Sequence, residues 1–183
     1  VYLLAGRTRE SIALLRSYVQ SPLSEVERMR ARRALLRAYE QNGDSREVVR
    51  VGEDLLQYTS DDDIRRRVIT AYDRLGDYEN ALKQASQLRD RWLRSLEIEK
   101  RLKKILEKDS PQSVDLVQRY AFALHSESSV LAQSAVYLIR NGKKNEGRAL
   151  LQRAASANAS SEASLALAEM YLQEGRYDDA KKM

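Results

Sequence analysis

Residues Val68–Tyr78 read VITAYDRLGDY, a helical pattern that ends in a glycine followed by an aromatic residue. Closely related patterns occur at Leu35–Asp44 (LLRAYEQNGD) and at Leu167–Tyr177 (LAEMYLQEGRY). Each copy has a tyrosine four residues before the glycine and an apolar residue eight before it. Glycine adopts positive φ angles without steric penalty, so it suits the point where a helix stops and the chain reverses. The pattern therefore predicts three helix–turn–helix units.

The turn glycines are regularly spaced along the chain. They are Gly6, Gly43, Gly76, Gly142 and Gly175. Successive glycines are separated by 37, 33, 66 and 33 residues. Because 66 is twice 33, the spacing predicts a further turn near position 109, where Ser110 and Pro111 are suited to cap and begin a helix. A period of this size is typical of helical repeat arrays.

The composition fits an all-helical chain. Among 183 residues there are seven glycines and two prolines, and 43% of residues are hydrophobic. No stretch shows the period-two alternation of a strand. The chain has no cysteine, which excludes disulfides and thiolate metal sites. The net charge of +5 is mild, because acidic residues nearly balance basic ones, and does not by itself indicate nucleic-acid binding.

The repeated motif resembles the tetratricopeptide repeat family, whose unit of about 34 residues contains a helix A, a tight turn and a helix B. The best-matching residues are Leu167, Ala168, Tyr171, Gly175, Tyr177 and Ala180. Two units depart from the pattern: Asp109 stands where glycine is expected, and Gly147 stands in place of the small alanine. The resemblance implies an all-α, right-handed α-solenoid of antiparallel helix pairs.

The resemblance and the spacing together predict a single array over residues 1–183. Its units are 1–23 (partial), 24–60, 61–94, 95–127, 128–160 and 161–183 (partial). The predicted helices are Arg9–Gln20, Ser24–Asn42, Ser45–Tyr58, Asp63–Leu75, Tyr78–Asp90, Leu96–Glu107, Pro111–His125, Val130–Arg140, Lys144–Ala155, Glu162–Glu174 and a truncated helix from Tyr177.

Two helix junctions carry specific expectations. Ser24 and Glu27 form the signature of a capping box. The region 78–108 contains no glycine or proline, and Ser95 is the one cap we identify there. This region is therefore either one long helix or two helices that meet near Trp92. The repeat register favours two.

The sequence offers no catalytic constellation. The lone histidine, His125, lies near the end of a predicted helix, where a surface or capping role is the common one. The run Asp61-Asp62-Asp63 is interpreted as a helix N-terminus, where carboxylates meet the positive end of the helix dipole, in preference to a cation site. We therefore predict no enzymatic activity, no small-molecule substrate, no cofactor and no metal.

In tetratricopeptide arrays the A helices line the concave groove, and the resemblance implies groove positions 13, 10, 6 and 3 residues before each turn. The residues predicted to bind a partner there are Arg30, Arg33, Arg37, Arg66, Thr70, Lys103, Val136, Leu165 and Glu169. The same rule also places Leu106, Ala132 and Glu162 on the groove. The expected groove is basic toward the N-terminus and apolar toward the C-terminus. The alternative is a solvated face with internal Arg–Glu pairs.

The family resemblance implies a non-catalytic scaffold for protein–protein interaction or complex assembly. Its partner is expected to be another protein or a peptide segment with acidic character. The chain begins at Val1, inside a predicted helix, so we interpret it as a piece of a longer protein, and truncated terminal repeats could self-associate.

Two alternatives stay open. One is a periplasmic segment of a bacterial outer-membrane exopolysaccharide export protein, which recruits a modifying enzyme or guides the polymer; a cytoplasmic location is the alternative to the periplasm. The other is an RNA-binding helical repeat, although no aromatic residues are interleaved with the arginines. No apolar run is long enough for this segment to insert into a membrane.

Overall fold

The computed structural model describes residues 7–125, 129–156 and 161–183, and these residues form an all-α structure. The helices in the described ranges are α1 (Thr8–Gln20), α2 (Glu25–Asn42), α3 (Ser45–Leu56), α4 (Asp62–Leu75), α5 (Tyr78–Ser86), α6 (Arg91–Glu107), a 3-10 turn (Pro111–Ser113), α7 (Val114–Ala121), α8 (Ser129–Arg140), α9 (Lys144–Ser156), α10 (Ser161–Gln173) and α11 (Tyr177–Ala180). None of these helices is long and apolar enough to cross a membrane.

Four of the predicted glycine turns fall at their predicted positions, and the turn predicted at Gly6 lies outside the described residues. Gly43, Gly76, Gly142 and Gly175 have φ angles of 77°, 74°, 84° and 74°. The turn predicted near position 109 is confirmed, because α6 ends at Glu107 and Asp109 has φ 42°. Over the described ranges Asp109 is the one residue other than glycine with a positive φ. The left-handed residues thus recur every 33 positions from 43 to 175.

The chain divides into two compact units, Val1–Ala85 and Ser86–Met183. In the first unit α1 packs on α2, α2 on α3, and α3 on α4. The motif tyrosines and their apolar neighbours form its core, since Tyr39, Leu36 and Leu55 are almost fully buried and Tyr72 is 8% exposed. Successive helices from α1 to α4 therefore pack against each other through apolar residues, as expected for short amphipathic helices.

In the second unit two even-numbered helices, α6 and α8, each contact the helix that follows and the next even-numbered helix. Thus α6 contacts α7 and α8, and α8 contacts α9 and α10. The helices α6, α8 and α10 consequently lie side by side. The pair α8–α9 packs very closely at Gly147, where an added Cβ atom would lie 2.5 Å from Ile139 Cγ1 and 2.7 Å from the carbonyl oxygen of Ala135.

The junction between residues 78 and 108 consists of two helices, but the predicted bounds were wrong. The first helix ends at Ser86 instead of Asp90, and the second begins at Arg91 instead of Leu96. The cap is Asp90, whose carboxylate accepts a hydrogen bond of 2.6 Å from the N–H of Leu93. Ser95 is buried within α6 instead, and its hydroxyl oxygen accepts a hydrogen bond from the backbone N–H of His125.

Other helix ends agree with the prediction to within two residues, with one further exception. The segment predicted as a helix from Pro111 to His125 starts with the 3-10 turn, and α7 ends at Ala121. The capping box at Ser24 is confirmed: the Glu27 carboxylate accepts from the Ser24 N–H at 3.1 Å, and the Ser24 hydroxyl accepts from the Glu27 N–H at 3.3 Å. This pair satisfies backbone donors that the first turn of α2 leaves open.

Candidate functional site

Two ion pairs align α2 with α4 in the first unit. The guanidinium of Arg33 lies 2.9 Å from the carboxylate of Asp61, and the guanidinium of Arg67 contacts the carboxylate of Glu40. Both contacts advance in the same direction along the two helices, so α2 and α4 lie next to each other and run parallel here. We call this row of contacts the α2–α4 seam.

The structure divides the predicted basic residues of this unit into two groups. Arg33 is half-buried and belongs to the seam, whereas Arg30, Arg37 and Arg66 are exposed. Thr70 is also exposed, but its hydroxyl donates to the carbonyl oxygen of Arg66 at 2.9 Å. For Arg37 and Arg66 the structure gives no ion pair within the described residues. These two guanidinium groups are therefore available to an anionic ligand.

Asp61 begins α4, as the interpretation of the acidic run predicted. Its carboxylate accepts from the backbone N–H groups of Asp63 and Ile64 at 3.0 and 3.3 Å. Burial opposes ionisation, but these hydrogen bonds and the nearby Arg33 outweigh it and lower the pKa of Asp61 below its usual value. Asp61 thus caps the start of α4, and its ion pair with Arg33 forms part of the α2–α4 seam.

A cavity of about 500 Å³ opens between α6, α8 and the start of α10 in the second unit. Its apolar lining is Leu106, Val136 and Tyr137, and Gln133 adds an amide. Its charged lining is Lys103, Glu107, Asp109, Arg140 and Glu162. We call it the α6–α8 cavity. Its volume falls in the usual range of ligand pockets, about 300–1,000 Å³.

The cavity brings together some of the predicted groove residues and leaves others out. Lys103 and Val136 both line it, whereas Leu165 and Glu169 are exposed on α10 outside its lining. Ala132 was predicted to face the groove but is 2% exposed, since α8 has helices packed on several sides. The lining carries five charged side chains, so this part of the surface is mixed in character instead of mainly apolar.

Sequence reasoning missed Asp109 as a functional candidate and treated it as a degenerate turn residue. Burial raises the pKa of Tyr137, and the negative charge of Asp109 raises it further. The Tyr137 hydroxyl donates to the carbonyl oxygen of Ser110 at 2.6 Å, which ties the turn after α6 to α8. The signal that could have identified Asp109 was its departure from glycine at a left-handed position.

His125 lies beyond the end of α7 and takes part in a packing contact. Its ring is half-buried and meets the edge of Trp92, with centroids 4.7 Å apart and an interplanar angle of 65°. Trp92 itself is 60% exposed. Within the described ranges no three His, Cys, Asp or Glu side chains are grouped so that they could hold a metal ion.

Comparison of the chain with protein-family models and with curated proteins gives no match in either case.

Proposed function

We propose that this chain is a non-catalytic scaffold that binds an extended segment of a partner protein along the exposed faces of its even-numbered helices. The observation that carries the proposal is the side-by-side arrangement of α6, α8 and α10, which leaves an open cavity lined by both apolar and charged groups. An extended peptide suits such a surface because it can present alternating side chains to it while its backbone stays accessible.

The proposal includes a right-handed solenoid of the tetratricopeptide type. Its support is the 33-residue spacing of the left-handed turn residues and the contacts that α6 and α8 each make with the next two helices. A single helix pair cannot hide its apolar face, so stacking on the next pair is the expected source of stability.

In the first unit we infer that the partner segment is acidic. Arg37 lies between the two seam residues Arg33 and Glu40 on α2, and Arg66 directly precedes the seam residue Arg67 on α4. A guanidinium group presents paired N–H donors that match a carboxylate, so Arg37 and Arg66 suit aspartate or glutamate side chains. Because both arginines are exposed, the binding should weaken as salt increases.

The test is isothermal titration calorimetry with a capped decapeptide that alternates glutamate and leucine. We expect the double variant Arg37→Glu/Arg66→Glu to weaken binding by roughly tenfold or more, since each exposed charge pair contributes about 0.2–1 kcal/mol and reversal adds repulsion. The matched control is Arg9→Glu/Arg46→Glu, which changes the net charge equally at exposed positions on α1 and α3.

Equal affinity for the wild type and the Arg37/Arg66 variant would reject this surface as the binding site. An equal loss in both double variants would show that only the net charge matters. Arg33 is left unchanged in the experiment because its replacement would also break the ion pair with Asp61 and disturb the start of α4.

RNA binding is the weaker candidate, although the exposed Tyr58 ring has the Arg32 guanidinium over it, 5.8 Å from the ring centroid. Stacking on bases needs exposed aromatic rings near the basic groups. The repeat tyrosines Tyr39, Tyr72 and Tyr171 are instead 1%, 8% and 5% exposed, so they serve packing. The polysaccharide-export alternative and the compartment stay predictions from the sequence.

A further inference from the structure

Asp109 occupies a backbone conformation that favours glycine. Its φ of 42° lies in the left-handed region, and the four matching turn positions in the chain are glycines. A side chain with a Cβ atom is disfavoured in this region, although aspartate tolerates it better than most residues. Glycine would therefore fit the turn at least as well. We infer that the aspartate side chain has a role other than forming the turn.

The surroundings of Asp109 suggest what that role is. Its side chain lines the α6–α8 cavity together with Glu107 and Glu162, and these three carboxylates outnumber the two cations, Lys103 and Arg140. Over the part of the chain that the structure describes, none of the five is placed in an ion pair. By contrast, the guanidinium of Arg101 and the carboxylate of Glu97 in the same unit form an ion pair at 2.6 Å.

The position of the two nearest carboxylates strengthens the preference for a cation. Glu107 is the last residue of α6, and Asp109 follows it by two positions. The carboxyl end of a helix carries a partial negative charge from its unpaired carbonyl groups, which attracts cations within about one turn. The turn is held in place by the hydrogen bond from Tyr137 to Ser110. The negative charges therefore stand on a fixed part of the cavity wall.

We propose that the α6–α8 cavity binds a lysine or arginine side chain of the partner segment, with Asp109 and Glu107 pairing with its cation and Leu106 and Val136 packing against its methylene groups. This rests on the proposed function and specifies the chemistry of its second contact surface. The acidic stretch inferred for Arg37 and Arg66 and the basic residue inferred for this cavity are separate features of the partner.

The test uses a capped decapeptide of glycine, serine and leucine with one central arginine, and the same peptide with citrulline in place of arginine. Citrulline keeps the shape of the side chain but removes its charge. Isothermal titration calorimetry on the whole chain should show tighter binding of the arginine peptide. Asp109→Gly should lower that affinity by about two- to fivefold, the loss expected for one partly exposed charge pair, and should leave citrulline binding unchanged.

Controls separate binding from folding. Asp115→Asn removes an exposed carboxylate on α7, outside the cavity lining, and should leave the affinity unchanged. Asp109→Asn should weaken binding as Asp109→Gly does, because it also removes the negative charge, while it keeps the size of the side chain and tolerates the left-handed conformation. By thermal unfolding, Asp109→Gly should be at least as stable as the wild type.

Several results would overturn the inference. They are the absence of saturable heat with the arginine peptide at millimolar concentration, equal affinity for the arginine and citrulline peptides, and unchanged affinity in Asp109→Gly. A lower melting temperature for Asp109→Gly would show that aspartate serves the turn and would remove the argument. The acidic-peptide experiment on Arg37 and Arg66 is independent, so failure here does not imply failure of the scaffold function.

Discussion

Replacement of Gly147 by alanine measures how closely α8 and α9 pack. A Cβ atom at this position would lie 2.5 Å from Ile139 Cγ1 and 2.7 Å from the carbonyl oxygen of Ala135. Carbon atoms in good contact are about 3.5–4.0 Å apart, so the Cβ and Ile139 Cγ1 are too close by roughly 1 Å. The Ile139 side chain can rotate, but the Ala135 oxygen belongs to the backbone of α8. The two helices must therefore move apart.

Two effects of opposite sign decide the outcome. Alanine favours a helix over glycine by about 1 kcal/mol, which would stabilise α9. Overpacking of a buried contact typically destabilises by about 1–3 kcal/mol, and the rigid backbone partner places this site in the upper half of that range. We therefore expect Gly147→Ala to lower the free energy of unfolding by about 1–2 kcal/mol, equivalent to a fall of roughly 2–8 °C in melting temperature for a chain of this size.

The assay is thermal and urea unfolding followed by far-ultraviolet circular dichroism. The control is Ala149→Gly, because Ala149 is exposed on the same helix and its replacement isolates the helix-propensity term. That control should lose about 1 kcal/mol. If Gly147→Ala is instead more stable than the wild type by the amount that the control loses, the close approach of α8 and α9 is refuted.

Two further predictions concern ion pairs. Glu97→Gln should lower the free energy of unfolding by about 3 kcal/mol, because it removes the carboxylate that lies 2.6 Å from the guanidinium of the buried Arg101. The control is Lys100→Gln, at the exposed partner of the same carboxylate, which should change the free energy of unfolding by less than about 0.5 kcal/mol. Equal urea midpoints for the two variants would contradict the buried pair. Asp61 has a lowered pKa in the fold, so its ionised form stabilises the protein at neutral pH, and this contribution is lost as the pH falls below about 4 toward the lowered folded pKa. The stability difference between wild type and Asp61→Asn, which removes the charge opposite Arg33, should therefore shrink on acidification, and a difference independent of pH would show that the ion pair contributes nothing.

The turn register was predictable because its cause is local. A left-handed residue at the end of a helix strongly favours glycine, so the glycines mark the turns directly. The turn at Asp109 has no such mark, and its position followed only from the regular spacing of the others. The junction before α6 was misplaced because it contains neither glycine nor proline. Asp90 is a good N-cap residue type, and its position before Arg91 was the signal that the sequence offered.

The candidate site was less predictable because it depends on partners distant in sequence. Arg33 and Arg37 look equivalent along α2, yet Asp61 engages only Arg33. Similarly, Lys103 and Val136 reach the α6–α8 cavity, while Leu165, placed on the groove by the same rule, lies outside its lining. Spacing within a helix identifies which residues share a face, but ion pairs and neighbouring helices determine which of them remain accessible.

The contact between Trp92 and His125 has a practical consequence. Trp92 is the single tryptophan of the chain and lies in the unit Ser86–Met183, at the start of α6, with its ring against a residue that follows α7. Its intrinsic fluorescence therefore reports on this unit alone, whereas the ellipticity of the peptide bonds sums over both units. Superposition of the two denaturation curves would mean that both units unfold together, and separated curves would give each unit its own midpoint without any added label.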